Sequence, residues 1–244
     1  MCATPAAPAW DLVKTHGDAP CAPALGFLGG TFDPPHAGHL ALAQAARSAL
    51  TLSRVWLIPA GRPWQKTAVS AAAHRLRMTE LLAADASGLD VDRREVDRDR
   101  NSYTFDTLRE LRSQWGPRAR LVWLIGSDQL SRLHTWHRWR DLLSFAHIAV
   151  AWRVPDAPAL SGQMQTFYDQ HRASIEATLA LPQGRIIDIP MTTMDISATA
   201  LRALLSRPAQ SLTASETQQL HAHLPLAVLD YIRTHGLYQT EPHH

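Results

Sequence analysis

Short, nearly continuous apolar runs alternate along this chain with longer stretches whose apolar residues recur at helical spacing. ALGFLG (24–29) has the composition of a buried strand, and HLALAQAARSAL, beyond a GTFDPPHAGH segment, has the Ala/Leu content and length of a helix. RVWLIPA (54–60) predicts the next strand, GRPWQKTAVS a loop, and AAAHRLRMTELLAADA a second helix. LDVDRREV (89–96) holds a strand edge and is followed by polar loop. In YTFDTLRELRSQW (103–115), Phe105, Leu108 and Leu111 share one helical face, and Gly116-Pro117 ends the helix. RLVWLIG (120–126) is the clearest buried strand, its apolar continuity suiting a parallel sheet covered on both faces. GSDQLSRLHTWHRWRDLL then predicts short helices, FAHIAVAWR (145–153) a strand, 164–180 a helix, and RIIDIPM (185–191) the last strand.

The remainder differs in kind. ISATALRALLSR (196–207), ASETQQLHAHL (214–224) and PLAVLDYIRTHG (225–236) predict short helices, with Pro225 suited to a first turn and Gly236 to a C-terminal cap. Strands alternating with helices, then a helical end, predict an α/β fold: a Rossmann-like, doubly wound parallel sheet with a small C-terminal helical subdomain. The expected divisions are a disordered leader (1–22), the α/β domain (23–191) and the helical subdomain (192–240).

Composition narrows the partners. The formal net charge is +2 and no Lys/Arg tail is present, so bulk binding of nucleic acid is not expected. Cys2 and Cys21 lie in an Ala/Pro-rich stretch outside every periodic segment and suggest neither a metal set nor a disulfide framework. The leader lacks the apolar run of a signal peptide, and no later segment is apolar for long enough to span a bilayer. A cytoplasmic protein without membrane partners is expected; monomer and homo-oligomer both remain open.

The strongest chemical signal is Gly29-Gly30-Thr31-Phe32-Asp33-Pro34-Pro35-His36-Ala37-Gly38-His39, where the first predicted strand meets the first helix. In open α/β sheets, ligands bind outside the carboxyl ends of strands. Paired glycines let the backbone approach a ligand closely, and two prolines stiffen the loop carrying His36. His39 falls near a helix N-terminus, whose unpaired N–H groups favour an anion. The two imidazoles, three residues apart, can face one phosphate; otherwise His36 is a surface residue and His39 a cap. Asp33 is the only local partner for a metal, and the prolines after it suit a turn, so no structural metal site is expected. Neither GxxxxGKS/T nor GxGxxG follows the strand, which weakens a generic ATPase and a dehydrogenase.

A second signal, Ile196-Ser197-Ala198-Thr199-Ala200-Leu201-Arg202, follows the last predicted strand. Ser197 suits an N-cap, and no acidic side chain competes in the first turn. Thr199 and Arg202 share a helical face and can meet one anion, unless Arg202 lies in solvent. Lys66, in the loop after the second strand, is a point charge within reach of a triphosphate; Arg62 and Arg75 are weaker candidates. Asp128, in Gly126-Ser127-Asp128, either accepts from ribose hydroxyls or caps the next helix. Trp136 and Trp139 either stack on a planar ring or pack in the core. Asn101, Ser102, Tyr103, Thr104 and Asp106 cluster at a loop-to-helix junction. No Ser-His-Asp or Cys-His arrangement emerges.

GGTFDPPHAGH and ISATALR together resemble the HxGH nucleotidyltransferase superfamily. With IPAGRPWQK, NSYTFDTL, GSDQLSRLHTWHRW and VLDYIRTHGLY, the span from Leu25 to Tyr238 looks like bacterial nicotinate-nucleotide adenylyltransferases. The resemblance implies transfer of AMP from ATP to nicotinate mononucleotide, giving nicotinate adenine dinucleotide and pyrophosphate, with Mg²⁺ travelling with ATP. It implies His36 and His39 against the ATP phosphates, and Ser197, Thr199 and Arg202 as triphosphate contacts. It places Lys66 in a loop that closes near the same phosphates, and Gly29, Gly30, Thr31, Phe32 and Gly126 in the nucleotide site. Asp128 then faces a ribose, Trp136 stacks on the pyridine ring, and the backbone around Tyr103 and Thr104 receives the nicotinate carboxylate. Many relatives carry PPHK where this chain has Pro63-Trp64-Gln65-Lys66, so the lysine is kept and the histidine is replaced. Nicotinamide mononucleotide or phosphopantetheine as acceptor, and a regulatory module without catalysis, are the competing interpretations. The joint presence of His36, His39, Lys66 and Arg202 argues against the last.

Overall fold

The computed structural model describes residues 23–65, 68–152, 160, 162–191 and 196–239. The expected leader and Lys66 lie outside the described residues. Six strands form one parallel sheet: β1 (Ala24–Gly30), β2 (Arg54–Pro59), β3 (Leu89–Val91), β4 (Arg120–Gly126), β5 (His147–Ala151) and β6 (Ile186–Ile189). Their order is β3-β2-β1-β4-β5-β6. The chain therefore reverses its direction of travel between β1 and β4, which makes the crevice above that pair the place for a ligand.

Strand β4 shows why these strands lack polar alternation. Leu121, Trp123 and Ile125 belong to the core on one face, Val122 and Leu124 to the core on the other. The first of those layers contains α3 (Thr104–Trp115), α4 (Ser127–Arg132) and α5 (Gly162–His171). On the opposite face lie α1 (Ala37–Ala49), α2 (Ala72–Ala83), α6 (Ile175–Leu179), α7 (Ala198–Leu205), α8 (Ala214–His223) and α9 (Leu226–Thr234). The three C-terminal helices thus share the core of α1 and α2.

Local departures from the predicted elements have local causes. The helix expected over 164–180 is two helices: Arg172 leaves the first to bridge Ile186, and the Ser174 hydroxyl caps the second. After α4 the chain continues as 3₁₀ turns at Leu133–Thr135 and Trp139–Ser144. Pro225 is the N-cap of α9, one position before its first turn, and Gly236 follows the helix at φ +59°.

β5 opens on His147, which is fully buried. Its Nδ1 accepts the Arg185 N–H, so Nε2 donates to the Leu181 carbonyl as a neutral ring. Burial, reinforced by nearby Arg112, lowers its pKa from 6.5 to about 4. Below pH 6.5 the unfolded chain binds a proton that the folded protein refuses until about pH 4. Stability is therefore full above this window and falls as pH drops through it, by about 3 kcal/mol in all. Denaturant unfolding between pH 4 and 7 should show a shallower decline for His147→Gln than for wild type; parallel curves would contradict the assignment.

Candidate active site

The C-terminal ends of β1 and β4 open onto a cleft of about 480 Å³, a volume suited to a small-molecule ligand. The β1–α1 turn contributes Gly29, Gly30, Thr31, His36 and His39, and the segment after β4 contributes Gly126, Asp128 and Trp136. Ser197, Thr199 and Arg202 at the start of α7 close one side; Glu95, Ser102 and Thr104 form another. Gly29 is required by close packing: a Cβ there would lie 2.4 Å from Cζ2 of Trp123 on the neighbouring strand.

His36 is the N-cap of α1. The Gly38 N–H donates to His36 Nδ1, and the His36 N–H donates to His39 Nδ1, each at 3.2 Å. The two rings lie 3.9 Å apart, and Phe32 meets His39 edge-on at 4.9 Å. With Nδ1 accepting a backbone hydrogen, each neutral imidazole carries its own hydrogen on Nε2. Capping and phosphate binding, posed as alternatives by the sequence, are compatible: the caps select the tautomer that donates from Nε2. Neither α1 nor α7 has an acidic residue in its first turn, so both positive helix ends stay uncompensated by side-chain charge.

Thr199 and Arg202 meet as their spacing predicted, the guanidinium donating to Thr199 Oγ1 at 3.2 Å. It also donates to the Asp33 carbonyl at 2.7 Å, which ties α7 to the β1–α1 turn. The Asp33 carboxylate accepts from the Ser70 N–H at 3.1 Å and the Tyr238 hydroxyl at 2.7 Å, so its role is to join segments. Burial, together with the Asp33 carboxylate, pushes the Tyr238 phenol upward. Arg75 corrects an expectation. It is 1% exposed, and its guanidinium donates to the carbonyls of Thr31, Ala60, Gly61 and Ser70. Desolvation lowers its pKa against the opposing pull of Asp33. It is a clip between loops, not a phosphate ligand. Arg62 pairs with Asp99 at the surface.

Residues 27–204 match the family model described as Cytidylyltransferase-like. The chain is 45% identical over 220 residues to the probable nicotinate-nucleotide adenylyltransferase of Laribacter hongkongensis, covering 89% of this chain and 96% of that relative. The chain belongs to the nicotinate-nucleotide adenylyltransferase family. The corresponding Dechloromonas aromatica protein is 41% identical over 221 residues, spanning 88% of this chain and 97% of the relative. Among solved structures, the Plasmodium falciparum nicotinic acid mononucleotide adenylyltransferase complexed with NaAD aligns with a TM-score of 0.65. That alignment covers 88% of this chain and 97% of the other at 15% identity, a likeness of fold.

For this nicotinate-nucleotide adenylyltransferase family member, most candidates from the sequence line the cleft. Phe32 and Tyr103 do not. Phe32 is buried beside His39 at φ +52°, and Tyr103 is the N-cap of α3, with its ring 5.9 Å from Trp64 and 4.6 Å from His137. The Asp128 carboxylate accepts from Gln129 at 2.8 Å, lines the cleft and does not cap α4. Trp139 is core, packed edge-on to Phe167 at 4.8 Å, whereas Trp136 is half-buried at the cleft. Glu95 was missed. It is 5% exposed, and burial raises its carboxyl pKa against the lowering effects of a Thr107 hydrogen bond and Arg98. Among the described residues, no group of three or more His, Cys, Asp or Glu is placed to hold a metal, and no helix is long and apolar enough to cross a membrane.

Proposed function

We propose that this cleft transfers AMP from MgATP to nicotinate mononucleotide, forming nicotinate adenine dinucleotide and pyrophosphate, with His36, His39, Lys66 and Arg202 as its catalytic residues. The observation that carries the assignment is the convergence of two chemistries at one switch point. Imidazole, hydroxyl and guanidinium donors gather where β1 meets α7, while Trp136 and the start of α3 form the other end.

The mononucleotide phosphate attacks the α-phosphorus of ATP in line. An O–P bond forms as the bond to pyrophosphate breaks, and the leaving group takes the electron pair. The attacking oxygen is already anionic, so alignment and charge stabilisation replace a general base. His36 and His39 donate Nε2–H to the α- and β-phosphate region. Thr199, Arg202 and Lys66 stabilise the departing pyrophosphate, with Ser197 shaping the helix start beneath it. The C-terminal helical subdomain, through α7, thereby completes the ATP site. Gly29, Gly30, Thr31 and Gly126 admit the nucleotide close to the backbone, Phe32 supports His39 from below, and Asp128 accepts from a ribose. Mg²⁺ enters as part of the substrate and neutralises phosphate oxygens; the polar groups of the phosphate end are donors, not a carboxylate cage. An ATP-consuming reaction of this kind fits a cytoplasmic location.

Trp136 stacks on the pyridine ring, beside the Tyr103–Thr104 turn that receives its carboxylate. Trp136→Ala should raise the KM for the mononucleotide about tenfold, within the range of aromatic stacking on a base, and leave the KM for ATP within about twofold. Steady-state kinetics with each substrate varied in turn checks this. Equal loss for both substrates would contradict the assignment.

A further inference from the structure

Glu95 lies between β3 and α3 in a stretch crowded with charge, yet it is 5% exposed and lines the cleft. A carboxylate at that depth needs donors. Thr107 Oγ1 donates to it at 2.6 Å, and the Ser102 hydroxyl nearby favours its charged form. Thr107 Oγ1 in turn accepts from Arg98 at 3.3 Å, and the other arm of Arg98 holds Glu110 at 2.6 Å. Ser102 Oγ accepts the N–H groups of Gly61 and Arg62 at 3.0 and 3.3 Å. With both acceptor positions of Ser102 occupied, its own hydrogen is left over, and the Glu95 carboxyl is the charge beside it. One hydroxyl thus holds the carboxylate and a second stands beside it.

Their places in the chain give this arrangement its consequence. Ser102 immediately precedes the Tyr103–Thr104 turn, and Thr107 sits one turn into α3. The same Ser102 grips the loop after β2, whose backbone touches that of Glu95: a Cβ on Gly61 would lie 2.0 Å from the Glu95 carbonyl oxygen. Glu95 therefore meets both the helix start, through Thr107, and the loop facing it, through its own backbone.

We propose that Glu95 is a positioning residue for the acceptor, acting through Ser102 and Thr107 to hold the first turn of α3 and the Gly61 loop at the separation that admits the pyridine carboxylate. This role rests on nicotinate mononucleotide being the acceptor. Glu95 touches no reacting atom, so its removal acts on acceptor binding and not on the chemical step.

The test is steady-state kinetics of wild type, Glu95→Ala, Glu95→Gln, Ser102→Ala and the Glu95→Ala/Ser102→Ala double variant, with thermal unfolding of each. Glu95→Ala should raise the KM for nicotinate mononucleotide about tenfold, equivalent to about 1.4 kcal/mol, with kcat and the KM for ATP within about twofold. Glu95→Gln keeps the shape and one acceptor oxygen, so it should fall between wild type and alanine. Ser102→Ala should raise the same constant, and the double variant should add little to either single change. Loss shared equally by both substrates and tracking a lowered unfolding midpoint would overturn the role. So would an unchanged acceptor KM in folded Glu95→Ala. Should Glu95→Ala not fold, Glu95→Gln and Ser102→Ala must show the same split, and its absence from both overturns the proposal. Failure of wild type to use the mononucleotide rejects the assigned reaction and this role together; normal wild type with unaffected variants rejects the role alone.

Discussion

Replacing His39 with alanine is expected to lower turnover by roughly two to three orders of magnitude while the protein stays folded. The ring has two separable tasks. Its Nδ1 accepts the His36 N–H, and losing such a cap costs about 1 kcal/mol of stability. Helix α1 keeps Leu42, Ala43 and Ala46 in the core, so that loss does not dislodge it. The larger effect is removal of an Nε2–H donor from the place where charge shifts during phosphoryl transfer, in a site where no solvent dipole is preorganised to replace it. His39→Gln separates the tasks, because glutamine at the third helical position can complete a capping box. It should recover the unfolding midpoint more fully than the rate. Pyrophosphate release by the folded alanine variant at nearly the wild-type rate would contradict the phosphate assignment.

The parts of this molecule legible in the sequence are those whose causes are local. Apolar runs such as RLVWLIG predicted the strands because a parallel sheet buried on both faces demands little else of them. The His36–Gly38–His39 spacing was readable because one helix start places both rings. What stayed hidden depends on distant partners. Arg75 read as a weaker candidate for the triphosphate; its carbonyl partners include Thr31, 44 residues away. Asp33 looked like a turn residue, and the hydroxyl that engages it belongs to Tyr238, 205 residues on. Trp136 and Trp139 were inseparable at helical spacing. The left-handed φ of +52° at Arg138 breaks that period, sending one ring to the core and leaving the other at the cleft. Glu95 was masked by its neighbours, since one acid in an Arg/Asp-rich stretch reads as a solvated residue until Ser102 and Thr107 are seen around it.

Preference for the acid over the amide is the second large effect expected. The start of α3 has no side-chain cap from Tyr103, and the positive end of a helix favours an anion. Asp106 in that first turn would oppose a carboxylate, but it is paired with Arg109 at 2.9 Å. Hydrogen bonds to a charged group contribute about 1.5–3 kcal/mol against about 1 kcal/mol for neutral pairs. The nicotinamide analogue also presents N–H donors where the helix end offers donors of its own. Together these differences correspond to roughly 10- to 100-fold in catalytic efficiency. The most direct test of the whole account is pyrophosphate release from MgATP by the purified protein, with nicotinate and nicotinamide mononucleotides compared side by side. The account predicts kcat/KM at least about tenfold higher for the acid; preference for the amide, or no release with either mononucleotide, would contradict it.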